Sequence, residues 1–197
     1  NYRGAMPYFH IIKNGEKASG ITLPFMDENF DTGDIIYQEK FDILPWETMG
    51  TLFNRTNFMI ADALAKTLSD CEKGIDFKRI PQEKSSTFIR APKTEGYLKI
   101  RWNKKAEEIS NLIKACNPFF GAYAKFRSTP MKILKASPVI RSHNLKFGQI
   151  AKCSEDSLLI ACRDGFLSVE LMQLSTWGIF NVREFYYTFT PTENEEL

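Results

Sequence analysis

The sequence predicts an α/β unit followed by a small β-barrel. Three observations carry this. The first 75 residues run helix, strand, loop, strand, long helix; a stretch bearing Pro and Ser without clear period follows; five short alternating runs then come behind one amphipathic helix. A length of 197 residues suits one large domain or two small ones.

Pro7 fits the first turn of a short helix through Lys13, and Asn14-Gly15 would end it. Gly20 to Met26 reads as a strand, Asp27 to Gly33 as an acidic loop, and Ile35 to Phe41 as a second strand. Met49, Leu52, Thr56, Met59, Ile60, Ala63, Leu64 and Leu68 then recur at helical spacing, with Gly74 placed as the stop. Two strands cannot build a stable sheet alone, so this unit reads as part of one, with Ile21, Leu23 and Phe25 short of cover. Residues 76–97 read as a linker or irregular crossing.

The second unit, 98–190, opens on Ile100 and Trp102. Asn103 is a good N-cap for a helix with Ala106, Ile109, Ile113 and Cys116 on one face, and Asn117-Pro118 ends it. The alternating runs are Ala122–Phe126, Met131–Ala136, Gly148–Cys153, Leu158–Cys162 and Phe166–Gln173. Strands at this spacing suggest a small barrel. Arg183–Tyr187 reads as a short helix and 191–197 as a frayed tail. Phe119-Phe120 reads as core packing rather than a base-stacking platform, Trp46 and Trp102 as core or junction residues, and Cys71 and Cys116 as buried thiols.

With 43% hydrophobic and 25% charged residues, a disordered or fibrous chain is excluded. No apolar run approaches the ~20 residues of a membrane-spanning helix. Four Cys without a CxxC pair and only two His argue against a zinc site or disulfide framework, so no metal and a cytoplasmic setting are expected. The chain opens on Asn1 with no signal peptide ahead of it, and is expected to be the tail of a longer one. The net charge of +2 conceals an uneven distribution. Residues 92–152 carry 13 Lys/Arg against 3 acids, whereas 153–197 carry 2 against 8. The basic middle suits a polyanion-binding surface, or equally a set of lysines solvating separate faces.

Asn1-Tyr2-Arg3-Gly4-Ala5-Met6-Pro7, Asn14-Gly15-Glu16, Gly20-Ile21-Thr22 and Met26 through Ile36, with its Asp31-Thr32-Gly33-Asp34 core, resemble in order and spacing the formyltransferases that use 10-formyltetrahydrofolate. Ile100-Arg101-Trp102, Ala106-Glu107-Glu108-Ile109, Asn117 through Tyr123, Lys132 through Ala136 and Asp164 through Leu167 resemble the C-terminal domain of the methionyl-tRNA formyltransferases. The resemblance covers roughly residues 1–174.

It implies that residues 1–75 are the C-terminal portion of a Rossmann-like catalytic domain and 98–190 an OB-like barrel that helps to hold tRNA. The reaction implied is transfer of a formyl group from 10-formyltetrahydrofolate to the amino group of initiator methionyl-tRNA, with no membrane and no obligate protein partner. The family uses Asn, His and Asp. Asp31 matches the Asp, although by its residues alone it could be a turn former before Gly33. Asp27, Thr32 and Gly33 fall in the folate loop, and Arg3 and Gly4 border the active site. The Asn and His lie ahead of the Tyr-Arg-Gly segment, so these 197 residues by themselves are expected to be inactive; neither His10, on a helix, nor His143, in a turn, stands in. Lys99, Arg101, Lys104, Lys105, Lys125, Arg127, Lys132 and Lys135 are the candidate tRNA contacts. Two other readings stay open: an amino sugar on a nucleotide as the acceptor, and a non-catalytic tRNA-binding remnant. Leu174-Ser175-Thr176-Trp177-Gly178, where tRNA enzymes usually carry Gly with two basic residues, leans away from tRNA.

Overall fold

The computed structural model describes residues 2–29, 31–82, 88–89, 91–92, 95–174 and 178–197; Asn1, Phe30, Lys93 and Ser175-Thr176-Trp177 of the readings above lie outside them. Pro7 opens helix α1 (Pro7–Lys13), where a missing N–H leaves no helix bond unmade, and the Asn14 N–H closes it on the His10 carbonyl. Phe9, Ile11 and Ile12 face inward.

Strands β2 (Ala18–Pro24) and β3 (Ile35–Asp42) pair antiparallel, Ile21 opposite Glu39. Helix α2 (Met49–Glu72) starts at a capping box, Thr48 and Thr51 each bonding the other's backbone N–H. Its buried residues Met49, Leu52, Thr56, Ala63 and Thr67 follow the helical period. Packing of α2 along β2 buries Ile21 to 4% exposure, so the expected lack of cover does not extend to it. Leu23 and Phe25 are half-buried, the latter beneath the Arg79 guanidinium at 4.1 Å. Cys71 is exposed rather than buried, because it lies on the flank of α2 that carries exposed Leu64 and Leu68.

The crossing is tied down at two points. Ile35 and Ile80 exchange backbone bonds of 2.8 and 3.0 Å, and β4 (Phe88–Ile89) runs parallel to β1 (Arg3–Gly4). After α3 (Glu95–Leu98), helix α4 (Ala106–Cys116) begins later than Asn103 would have it. Its first free N–H, that of Ala106, is bonded by Asp164 at 2.8 Å, a cap supplied from 58 residues away.

The main sheet has the order β5 (Ala122–Phe126), β6 (Thr129–Ile140), β9 (Gly165–Leu174), β8 (Ser157–Cys162), β7 (Ile150–Ser154), all antiparallel, with β10 (Gly178–Asn181) on β9. The sequence reading missed β10. A Cβ on Gly165 would stand 2.1 Å from the Val139 carbonyl, so only glycine lets β9 and β6 meet there.

No pairing closes this sheet among the described residues, so the expected barrel is an open sheet there. The tail joins its two ends instead. Glu195 accepts from Arg127, in the β5–β6 turn, at 2.6 Å, and its carbonyl accepts from Ile150 N at the head of β7 at 2.8 Å. Leu197 N bonds Gly148 O at 2.9 Å. The 191–197 tail, expected to fray, is therefore pinned by backbone bonds. Helix α5 (Val182–Phe189) buries Phe185 against Phe126 beside it.

One hydrophobic core unites Phe9, Ile12 and Leu52 from the first half with α4 and the main sheet. Trp102 is buried as expected. Trp46 and Phe119 are 65% and 61% exposed, because each sits in a loop beyond a helix end, and only Phe120 of the aromatic pair packs on the core.

Candidate functional site

Two regions collect the candidate residues. The first is the 25–34 loop. Asp27 accepts from Asn29 N at 2.9 Å and from the Thr32 hydroxyl at 2.7 and 2.8 Å, and these bonds, Thr32 first, hold its carboxyl below the usual range. Phe25 N donates to Asp34 O at 2.8 Å, closing the loop. A Cβ on Gly33 would lie 1.7 Å from the Phe25 carbonyl, so no other residue fits. Between Asp27 and Gly33, Asp31 adopts a left-handed φ of 58°, a conformation Asp tolerates better than most residues.

The loop is tied to the chain start by a residue the sequence reading did not single out. Gln82 donates to Gly33 O and accepts from the Arg3 guanidinium, both at 2.6 Å. Its partners are 49 and 79 residues away, and no local pattern marks it. Arg3, Gly4 and Asp31 line a common cleft of about 630 Å³ with Tyr2, Thr22 and Gln82. Asp27, Thr32 and Gly33 do not line it and instead shape the loop.

The second region is the basic face. Lys99, Arg101 and Lys104 line a cleft of about 370 Å³ together with Lys13, which α1 contributes from the other half of the chain. Lys13 Nζ sits 3.8 Å above the centre of the Tyr97 ring. Lys125 and Lys132 line a neighbouring cleft of about 470 Å³. Between the clefts runs the 97–101 segment, fastened by Ile100 N to Tyr123 O at 2.8 Å. Three of the candidate cations stand apart. Lys105 lines neither cleft and is the N-cap of α4. Arg127 is bound by Glu195 and the Phe189 carbonyl, and Lys135 pairs with Glu170 at 2.6 Å.

Neither histidine reaches the loop cleft. His10 packs edge-on to Phe9. His143 accepts from Leu145 N at Nδ1 and donates from Nε2 to Cys162 O at 2.6 Å, the neutral tautomer locking a turn. Burial pushes the Cys116 and Cys162 thiols up to about 12, so neither supplies a thiolate nucleophile. Among the described residues no group of three or more His, Cys, Asp or Glu could hold a metal ion, and no helix is long and apolar enough to cross a membrane.

The family profile "Formyl transferase" matches residues 1–68, and "Formyl transferase, C-terminal domain" matches 93–190. Methionyl-tRNA formyltransferase of Halothermothrix orenii is 31% identical over all of this chain, which spans 64% of that relative; for the enzyme of Pelotomaculum thermopropionicum the values are 36% identity, 88% and 55%. The chain thus spans less than two thirds of the curated relatives it matches. HypX from Aquifex aeolicus, solved with tetrahydrofolic acid, superposes with a TM-score of 0.73 at 19% identity, over 98% of this chain and 34% of HypX. The sugar 3N-formyl transferase WlaRD superposes with a TM-score of 0.64 at 24% identity, over 86% of this chain and 60% of its own. With two profiles covering most of its length between them and a relative aligned along all of it, this chain belongs to the formyl transferase family.

Proposed function

We propose that the protein transfers a formyl group from 10-formyltetrahydrofolate to the amino group of initiator methionyl-tRNA, in the cytoplasm. The observation that carries this is the alignment of the whole chain with methionyl-tRNA formyltransferases. The loop cleft fits an organic donor, since its volume of about 630 Å³ lies within the ~300–1,000 Å³ typical of ligand clefts, and a cation, a carboxylate and bare backbone meet at its wall.

Bound there, the folate supplies the formyl carbon. The acceptor amine attacks that carbon, a tetrahedral oxyanion forms, and the bond to the folate nitrogen breaks as a proton passes from amine to leaving nitrogen. Asp31 is the proposed carboxylate that orients the imidazole the family resemblance implies, favours its protonated form and relays protons through water. Arg3 brings a cation to the same wall, and the loop built by Asp27, Thr32 and Gly33 sets where Asp31 stands. Lys13, Lys99, Arg101 and Lys104 are proposed to engage tRNA phosphates, with Lys125 and Lys132 extending the track. An amino sugar on a nucleotide is the second reading, favoured by the acidic 153–197 segment, which would repel a long polyanion.

Fluorescence anisotropy with methionyl-initiator tRNA, at low and physiological salt, tests this. Binding with a steep negative salt slope is expected, because each neutralised phosphate releases counterions. No binding at low salt would overturn the tRNA reading and put the amino sugar first.

A further inference from the structure

We propose that the cleft on the outer face of β5, β6 and β9 holds one unpaired nucleotide, its base stacked on Tyr123 and Phe120 and its flanking phosphates on Lys125 and Lys132. This rests on the nucleic-acid reading of the basic face and deepens it.

Strand alternation builds the site. Ala122, Ala124 and Phe126 of β5 are buried in the core, which turns Tyr123 and Lys125 outward. Register then aligns Tyr123, Lys132 and Gln173 in one row across three strands, with Lys125 in the next row opposite Pro130. Leu98 and Phe120 wall the cleft, and Phe120 is steadied edge-on against Phe9 at 6.1 Å. Gln173 adds an amide, which carries both donors and an acceptor for a base edge.

The charges favour the same occupant. Arg127 and Lys135, also on β5–β6, are neutralised by Glu195 and Glu170, whereas neither Lys125 nor Lys132 forms a salt bridge among the described residues. Aromatic rings beside unpaired cations suit a single strand, whose bases offer free π-faces. A duplex keeps those faces stacked on one another and could use the lysines only.

The test titrates the 197-residue chain with a short single-stranded RNA carrying one 2-aminopurine, and with a duplex of the same length. The single strand should bind with quenching of the 2-aminopurine. Tyr123→Leu should weaken it by roughly tenfold and abolish the quenching, while Tyr123→Phe keeps both. Lys132→Glu, on the exposed face, is a second variant with the same expected loss, and equal melting temperatures establish that the variants fold. Equal affinity for the duplex, or unchanged quenching in Tyr123→Leu, would overturn the inference. Binding of methionyl-initiator tRNA that falls in Arg101→Ala but ignores Tyr123→Leu would overturn it while sparing the proposed function. Stacking of the single strand without any binding of the tRNA would support it and sink the proposed function.

Discussion

The 25–34 loop and the main sheet are built on opposite principles. The sheet rests on dry packing and a regular backbone ladder: Ile133, Ile160, Leu167 and Met172 are fully buried between paired strands. The loop is largely exposed and rests on a handful of polar bonds around Asp27, Gly33 and Gln82. Apolar burial is non-directional, whereas a polar network depends on each partner's distance and angle. The sheet therefore carries stability, and the loop carries geometry that substitution can alter without unfolding the chain.

The largest expected effect breaks the sheet. Leu167→Ala removes a fully buried side chain and should cost about 2–5 kcal/mol, read as a lowered urea midpoint. Asp31→Asn, at an exposed loop position, should change stability by no more than about 0.5 kcal/mol. Equal losses would erase the contrast.

A smaller effect separates two kinds of cation. Arg127→Ala removes the link between the β5–β6 turn and the tail and should cost about 1 kcal/mol, leaving the tRNA salt slope unchanged. Arg101→Ala should do the reverse, lowering the salt slope by about one unit with an unaltered midpoint. Gln82→Ala should cost about 1 kcal/mol or less and release Gly33 O and Arg3 together, seen as faster amide exchange of Phe25, whose N–H closes the loop.

The smallest effect concerns pH. Asp27 has its pKa lowered by Thr32 first and then by the Asn29 N–H, so the bonds of its ionised form are present above the unfolded value of about 3.9 and fade as pH falls through the lower folded value. Followed by NMR, Asp27 should titrate below a reference Asp, and Thr32→Ala should move it back up. An unmoved titration would show that the hydroxyl does not hold this carboxylate.

Local patterns carried much of the fold. The period of Met49, Leu52, Thr56 and Ala63 marks α2, and the Ala106, Ile109, Ile113, Cys116 face marks α4, because helix geometry repeats within a few residues. Alternation likewise marked five of the six main-sheet strands. Arg3, Gly4 and Asp31 are candidates only through resemblance, since an Asp before Thr-Gly is by itself an ordinary turn.

What chain-local chemistry specified, then, was the succession of elements, the buried faces and the excess of cations in 92–152. Tertiary structure decided which of those cations share a face, bringing Lys13 in from α1 and withdrawing Arg127 and Lys135 into ion pairs. It also gave α4 its cap from Asp164, the loop its tie through Gln82, and the open sheet its bridge through the tail. Each joins residues dozens of positions apart. Helix and strand periods report only a few neighbours along the chain, whereas a hydrogen bond or ion pair depends on distance in space.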